Sequence, residues 1–218
     1  PTVTTKSLDL LSAFPALVTL RIDLASLDGS ALGHLIASKL TQIDAVFDSM
    51  TLPAIGKWIR QNPQLTGVTI AAKRFEAEGS ADFLATSNLD FIDLGAMPFR
   101  DEHLSEVARS PRLNALTLRC TSDLTSEGVA KLSQAANLRT LHFIWSANFE
   151  QLDAGVAQID QLEELKFIDC KLSDASLKKM SKLPRLKRLL LVQVPVTKAG
   201  ITAIASAPQL ESVSIQSC

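Results

Sequence analysis

The stretch "LEELKFIDCKLSDASLKKMSKLPRL", Leu162 to Leu186, decides the fold. Its first half carries Leu162, Leu165 and Phe167 in an L-x-x-L-x-L frame. Alternation by twos is the mark of a strand with one buried face. After Leu172 the frame changes. Ser173 is a good helix N-cap, Leu177 and Met180 follow at helical spacing, and Pro184 ends the run. One unit is therefore a short strand, a turn, a helix and a return loop, and Leu186 begins the next.

The frame recurs along the chain, with first leucines at 17, 40, 65, 89, 113, 138, 162, 186 and 210. Successive spacings are 23, 25, 24, 24, 25, 24, 24 and 24 residues, a register that nine independent segments would not share. A second apolar anchor follows each strand by 10 or 11 residues: Leu27, Met50, Phe75, Phe99, Leu124, Phe149, Leu172 and Val196. Pro63, Pro111, Pro184 and Pro208 each sit two residues before a strand leucine. Two units depart from the pattern. The second has Pro53 close to its helix start, and the sixth has Asp153 where others carry the first apolar helical residue. An irregular convex element is expected there.

This pattern closely resembles leucine-rich repeats over essentially the whole chain, and most of all the 24-residue helical variety of cysteine-containing and bacterial members. The resemblance implies an α/β solenoid of about nine repeats, a curved right-handed superhelix with a parallel sheet on the concave side and helices on the convex side. It implies a binding scaffold rather than an enzyme. Residues 1–218 form one such domain, with strands expected near 17–23, 40–46, 65–71, 89–95, 113–119, 138–144, 162–168, 186–192 and 210–216. Residues 3–17 match 196–210 in type, so 1–16 read as a partial N-terminal repeat. With no polar cap visible at either end and Pro1 in first place, the expectation is a piece of a longer array with capping or catalytic segments elsewhere.

Composition is that of an ordinary globular chain, 46% hydrophobic and 21% charged, with formal net charge −1. That balance argues against nucleic acid and membrane surfaces as partners. The halves differ: residues 1–109 carry 9 Lys+Arg against 13 Asp+Glu, and residues 110–218 carry 13 against 10. Cys120, Cys170 and Cys218 are odd in number and widely spaced, without a disulfide or metal-knuckle pattern. A reducing compartment, the cytoplasm or a host cell receiving a delivered protein, is expected.

No nucleotide-loop, zinc-protease or serine-hydrolase motif occurs. His34 and His103 fall in convex segments and His142 on a strand, so they cannot share a metal, and no cofactor is expected. In "RDEH", Arg100 to His103, the two acids suit the first turn of a helix. Cys170 and Cys218 occupy the ninth repeat position, which in similar repeats is buried and bonded to loop backbone. Phe75, Phe99 and Phe149 stand at the second anchor and read as core. The lysines at 178, 179 and 182 read as a solvated helix face.

Binding is expected on the concave face, where strand positions 3, 5 and 7 point. Position 7 brings Ile144, Ile168 and Val192 onto consecutive rungs, with Leu190 beside them and Trp145 at the strand end. His142, Glu164, Lys166 and Arg188 border this stripe. An apolar cluster ringed by polar groups is the composition of a protein-docking surface. The middle of the face, with Gly67, Thr69, Ala71 and Gly95, reads as nearly featureless. The expected role is a protein-binding scaffold, a bacterial interaction or effector module. The alternative is the substrate-recognition part of a ubiquitin ligase, or of an effector enzyme with its catalytic domain elsewhere.

Overall fold

Each repeat returns its chain to the same edge of a growing sheet, so the strands stack in sequence order. The computed structural model describes residues 3–76 and 78–218. Nine parallel strands form one sheet in the order β1 to β9: β1 Thr19–Asp28, β2 Gln42–Thr51, β3 Gly67–Glu76, β4 Phe91–Asp93, β5 Ala115–Arg119, β6 Thr140–Ile144, β7 Glu164–Ile168, β8 Arg188–Val192 and β9 Ser212–Gln216. Pairing is in register by repeat position, as in Leu165↔Leu189 and Phe167↔Leu191. Parallel neighbours need a crossover, and here it is a helix or a helical turn on one face.

The helices are α1 Thr5–Leu8, α2 Leu52–Gln61, α3 Asp101–Val107, α4 Ser126–Ala130, α5 Phe149–Val156, α6 Asp174–Met180 and α7 Lys198–Ile204. Capping residues fix their starts. The side chains of Thr51, Thr125, Ser173 and Thr197 each accept a backbone N–H from the first turn. Two caps also tie neighbouring repeats together. Thr125 Oγ1 donates to Asp101 of the preceding helix at 2.5 Å, and Thr197 Oγ1 donates to Asp174 at 2.8 Å. Gly128 and Gly200 make room for these carboxylates, since a Cβ at either would collide with the other oxygen, Oδ1, of the same Asp.

Between sheet and helices runs a continuous core of strand positions 1, 4 and 6 with the second anchors. Its densest part is Phe143, Phe149 and Phe167: Phe149 meets both others edge-on at 4.9 and 4.7 Å, and Phe143 and Phe167 stack at 5.6 Å. The phenylalanines of the second anchor are core, not a stacking platform.

The expected convex irregularities fall elsewhere. Pro53 lies in the first turn of α2, where its missing N–H costs nothing, and α2 is the longest helix at 10 residues. Asp153 sits inside regular α5, only 3% exposed, accepting from Ser176 Oγ at 2.9 Å and Lys179 Nζ at 2.6 Å, both from α6. A buried acid is tolerated there because the next repeat supplies its donors. The irregular crossovers are those of the first and third repeats, 3-10 turns over Gly29–His34 and Asp82–Thr86, while strands β1, β2 and β3 all run to 10 residues.

Candidate binding face

The side chains that point away from the helices form the concave face, and its C-terminal half holds every residue singled out in the sequence. Register places Ile144, Ile168 and Val192 side by side, and likewise His142, Lys166 and Leu190, and Glu164 and Arg188. The stripe is less open than alternation implies. Ile144 is 8% exposed, and Ile168, Leu190 and Val192 are half-buried. On the neighbouring rung Arg119 pairs with Ile144. Its guanidinium bonds Asp93 on one side, at 3.0 and 2.6 Å, and lies 5.6 Å from the Trp145 ring centre on the other.

Trp145 is the most open apolar residue here, 51% exposed. It is held by backbone geometry: its φ is 57°, and its N–H donates to Ile168 O at 2.9 Å. Cys120, Asp169, Gln193 and Ser217 adopt the same left-handed conformation at the same repeat position. The strand therefore ends in a fixed turn, and that turn lifts position 8 onto the rim of the face.

The polar border is a relay. Arg188 Nε donates to Glu164 at 2.7 Å, and His142 Nε2 lies 3.4 Å from the other Glu164 oxygen. Burial, and secondarily Lys166, pushes the His142 imidazole below its ordinary range, against the pull of Glu164. For Glu164, burial pushes upward, but the bonds from Arg188 and His142 outweigh it and hold the carboxyl low. Among the described residues Lys166 makes no ion pair.

Other expectations resolve as follows. Cys170 is buried, its thiol donating to Phe143 O and Ile168 O at 3.3 Å, and burial pushes its pKa up. Cys218 bonds backbone likewise but is exposed, as is Cys120. His103 is buried and its Nδ1 accepts the Arg100 N–H at 3.1 Å, while Asp101 and Glu102 stand in the first turn of α3. Among the described residues no group of three His, Cys, Asp or Glu is placed to hold a metal, and no helix is long and apolar enough to cross a membrane. The region of Gly67 and Thr69, part of the middle expected to be nearly featureless, borders a hollow. This hollow of about 610 Å³ opens over β1 to β4, lined by Thr19, Arg21, Gln42, Asp44, Thr69 and Phe91. The signal for it was present in position 3, where Phe91 falls between Gly67 and Ala115.

Neither a family model nor a curated protein matches the chain. Among solved structures it is similar to an internalin, InlF, from Listeria monocytogenes, at 16% identity and TM-score 0.52 over 94% of this chain. It spans 63% of that internalin chain, less than two thirds. The TLR13–ssRNA13 complex also matches at 16% identity, covering 93% of this chain and 36% of the other, but its TM-score of 0.37 supports no comparison. Repeat spacing, sheet order and the internalin likeness agree: the chain folds as a leucine-rich-repeat solenoid.

Proposed function

We propose that the chain is a protein-binding scaffold whose docking surface is the C-terminal half of the concave face. Trp145 is the anchor, Ile168, Leu190 and Val192 are the apolar floor, and Glu164, Lys166, Arg188 and His142 are the polar rim. The observation that carries this reading is Trp145, half-exposed on a hydrogen-bonded backbone turn, with its ring beside a guanidinium already bound to Asp93. A pre-ordered aromatic loses little entropy on docking and excludes water from its neighbours, which is how interface hot spots work. Lys166, without an ion pair among the described residues, is the rim charge most available to an acidic partner group.

The reading extends to an interaction module working in a reducing compartment, as a bacterial effector would in a host cell. It is supported there by three free thiols. Affinity capture from the native lysate tests the surface. The double variant Leu190→Asp with Val192→Asp is expected to fold, since both side chains are half-buried on the open face, and to lose the proteins retained by the wild type. Undiminished recovery by the folded double variant would exclude this face.

A further inference from the structure

Phe91 stands in the N-terminal half of the concave face with Gly67 on one adjoining rung and Ala115 on the other. Rungs are about 4.8 Å apart, and neither small neighbour carries a side chain beyond Cβ to cover the ring, which is half-buried. The structure has space on each side: the hollow of about 610 Å³ towards β1, and a second of about 550 Å³ lined by Asp90, Arg112, Asn114 and Asn137. Both volumes lie within the roughly 300–1,000 Å³ of typical ligand sites.

The chemistry around the ring is polar but matched in charge. Arg21 Nε bonds Asp44 at 2.8 Å, and Arg112 Nε bonds Asp90 at 3.3 Å, so no unpaired charge in either hollow calls for a phosphate or a cation. Neutral groups remain. Among the described residues no hydrogen bond reaches the side chains of Thr19, Gln42 or Thr69. Asn114 and Asn137 donate to backbone carbonyls at 3.2 and 2.6 Å, leaving their carbonyl oxygens to accept. Strands β2, β3 and β4 are paired on both sides, so an extended peptide would find a main-chain edge here only at β1, on the far side of β2 and β3 from Phe91.

We propose that the two hollows flanking Phe91 bind a neutral saccharide. An apolar C–H face of a sugar ring lies on the π-face of Phe91, as the ring quadrupole favours. Sugar hydroxyls, each donor and acceptor at once, pair with Gln42, Thr19, Thr69 and the asparagine carbonyls, and with the spare lone pairs of carboxylates already neutralised by arginine. This site is separate from the protein-docking surface and does not depend on it.

Calorimetric titration of the protein with maltohexaose, cellohexaose, laminarihexaose and chitohexaose tests the proposal, beside heparin hexasaccharide and an uncharged proline-rich decapeptide. Gly67→Leu places a side chain in the first hollow, where its Cβ would lie in ordinary contact, 3.4 Å from Gln42 Cγ and 3.9 Å from Phe91 Cδ1. The expected result is millimolar or tighter binding of at least one neutral hexasaccharide, weakened about tenfold or more by Phe91→Ala and by Gly67→Leu. Should Phe91→Ala fail to fold, Gly67→Leu and the exposed-site variant Gln42→Ala decide. Binding of none of the neutral sugars, equal binding by the folded variants, or preference for heparin or the peptide would overturn it.

Discussion

His142 and Glu164 couple the concave face to pH. Burial opposes the imidazolium, so folded His142 titrates below the unfolded value of about 6.5. The unfolded chain then takes up that proton first, and stability falls as pH drops from about 6.5 towards the folded value. Glu164 is held low by Arg188 and His142 against the opposing effect of burial. Its contribution is complete above the unfolded value of about 4.3 and is lost as pH falls through the folded one. Acid thus weakens this region in two steps. Urea unfolding of His142→Gln is expected to show a shallower loss of stability between about pH 6.5 and 5 than the wild type. An unchanged slope would mean that His142 titrates as an ordinary exposed imidazole. None of this was legible in the sequence, which places His142, Glu164 and Arg188 on adjacent rungs but says nothing of how far their neighbours bury them.

At the scale of single elements, two kinds of contact between repeats shape the structure. The first is Asp153. The sequence marks it as an intruder in α5, because a helix pattern read alone has no place for a buried acid. Its partners Ser176 and Lys179 come from α6, and a contact across repeats leaves no local pattern. Asp153→Ala removes one of two partners of the buried Ser176 hydroxyl, which keeps Ser173 Oγ at 3.2 Å, and is expected to cost about 0.5–1.5 kcal/mol in denaturant unfolding. A loss below a few tenths would contradict the pairing. The second is the left-handed turn after the strands. Gln193 adopts φ 53° although it is not glycine, and its side chain is exposed. Left-handed geometry costs a non-glycine residue about 1–2 kcal/mol, partly offset by the greater chain entropy that glycine loses. Gln193→Gly is therefore expected to stabilise by about 0.5–1 kcal/mol, read from the unfolding midpoint. Helix starts, by contrast, were legible residue by residue. Ser173 caps α6 as its sequence position predicts, and Thr125 and Thr197 stand at the equivalent place after their anchors Leu124 and Val196.

Across the whole molecule, periodicity carries nearly all the information. A spacing of 24 residues, repeated with little drift, dictates one parallel sheet in sequence order, because stacking repeat on repeat buries the frame residues of every inner unit. The candidate face was legible to the level of rows and rungs. The openness of each row was not, since Arg119, on the rung beside Ile144, is held by its bond to Asp93 on the adjoining strand and stands by the Trp145 ring, contacts across strands that leave no local pattern. The same limit hid the hollow beside Phe91, which depends on what Gly67 and Ala115 leave empty.

The central claim, that partners dock on the concave face around Trp145, is tested most directly by hydroxyl-radical footprinting of the protein alone and with the captured partner. Trp145 is half-exposed and Trp58 is buried, so the two tryptophans give an internal contrast. The account predicts that Trp145 and Leu190 oxidise in the free protein and are protected in the complex, while the convex residues Ile201 and Lys178 stay unchanged. Protection of Ile201 and Lys178 with Trp145 still reactive would contradict it.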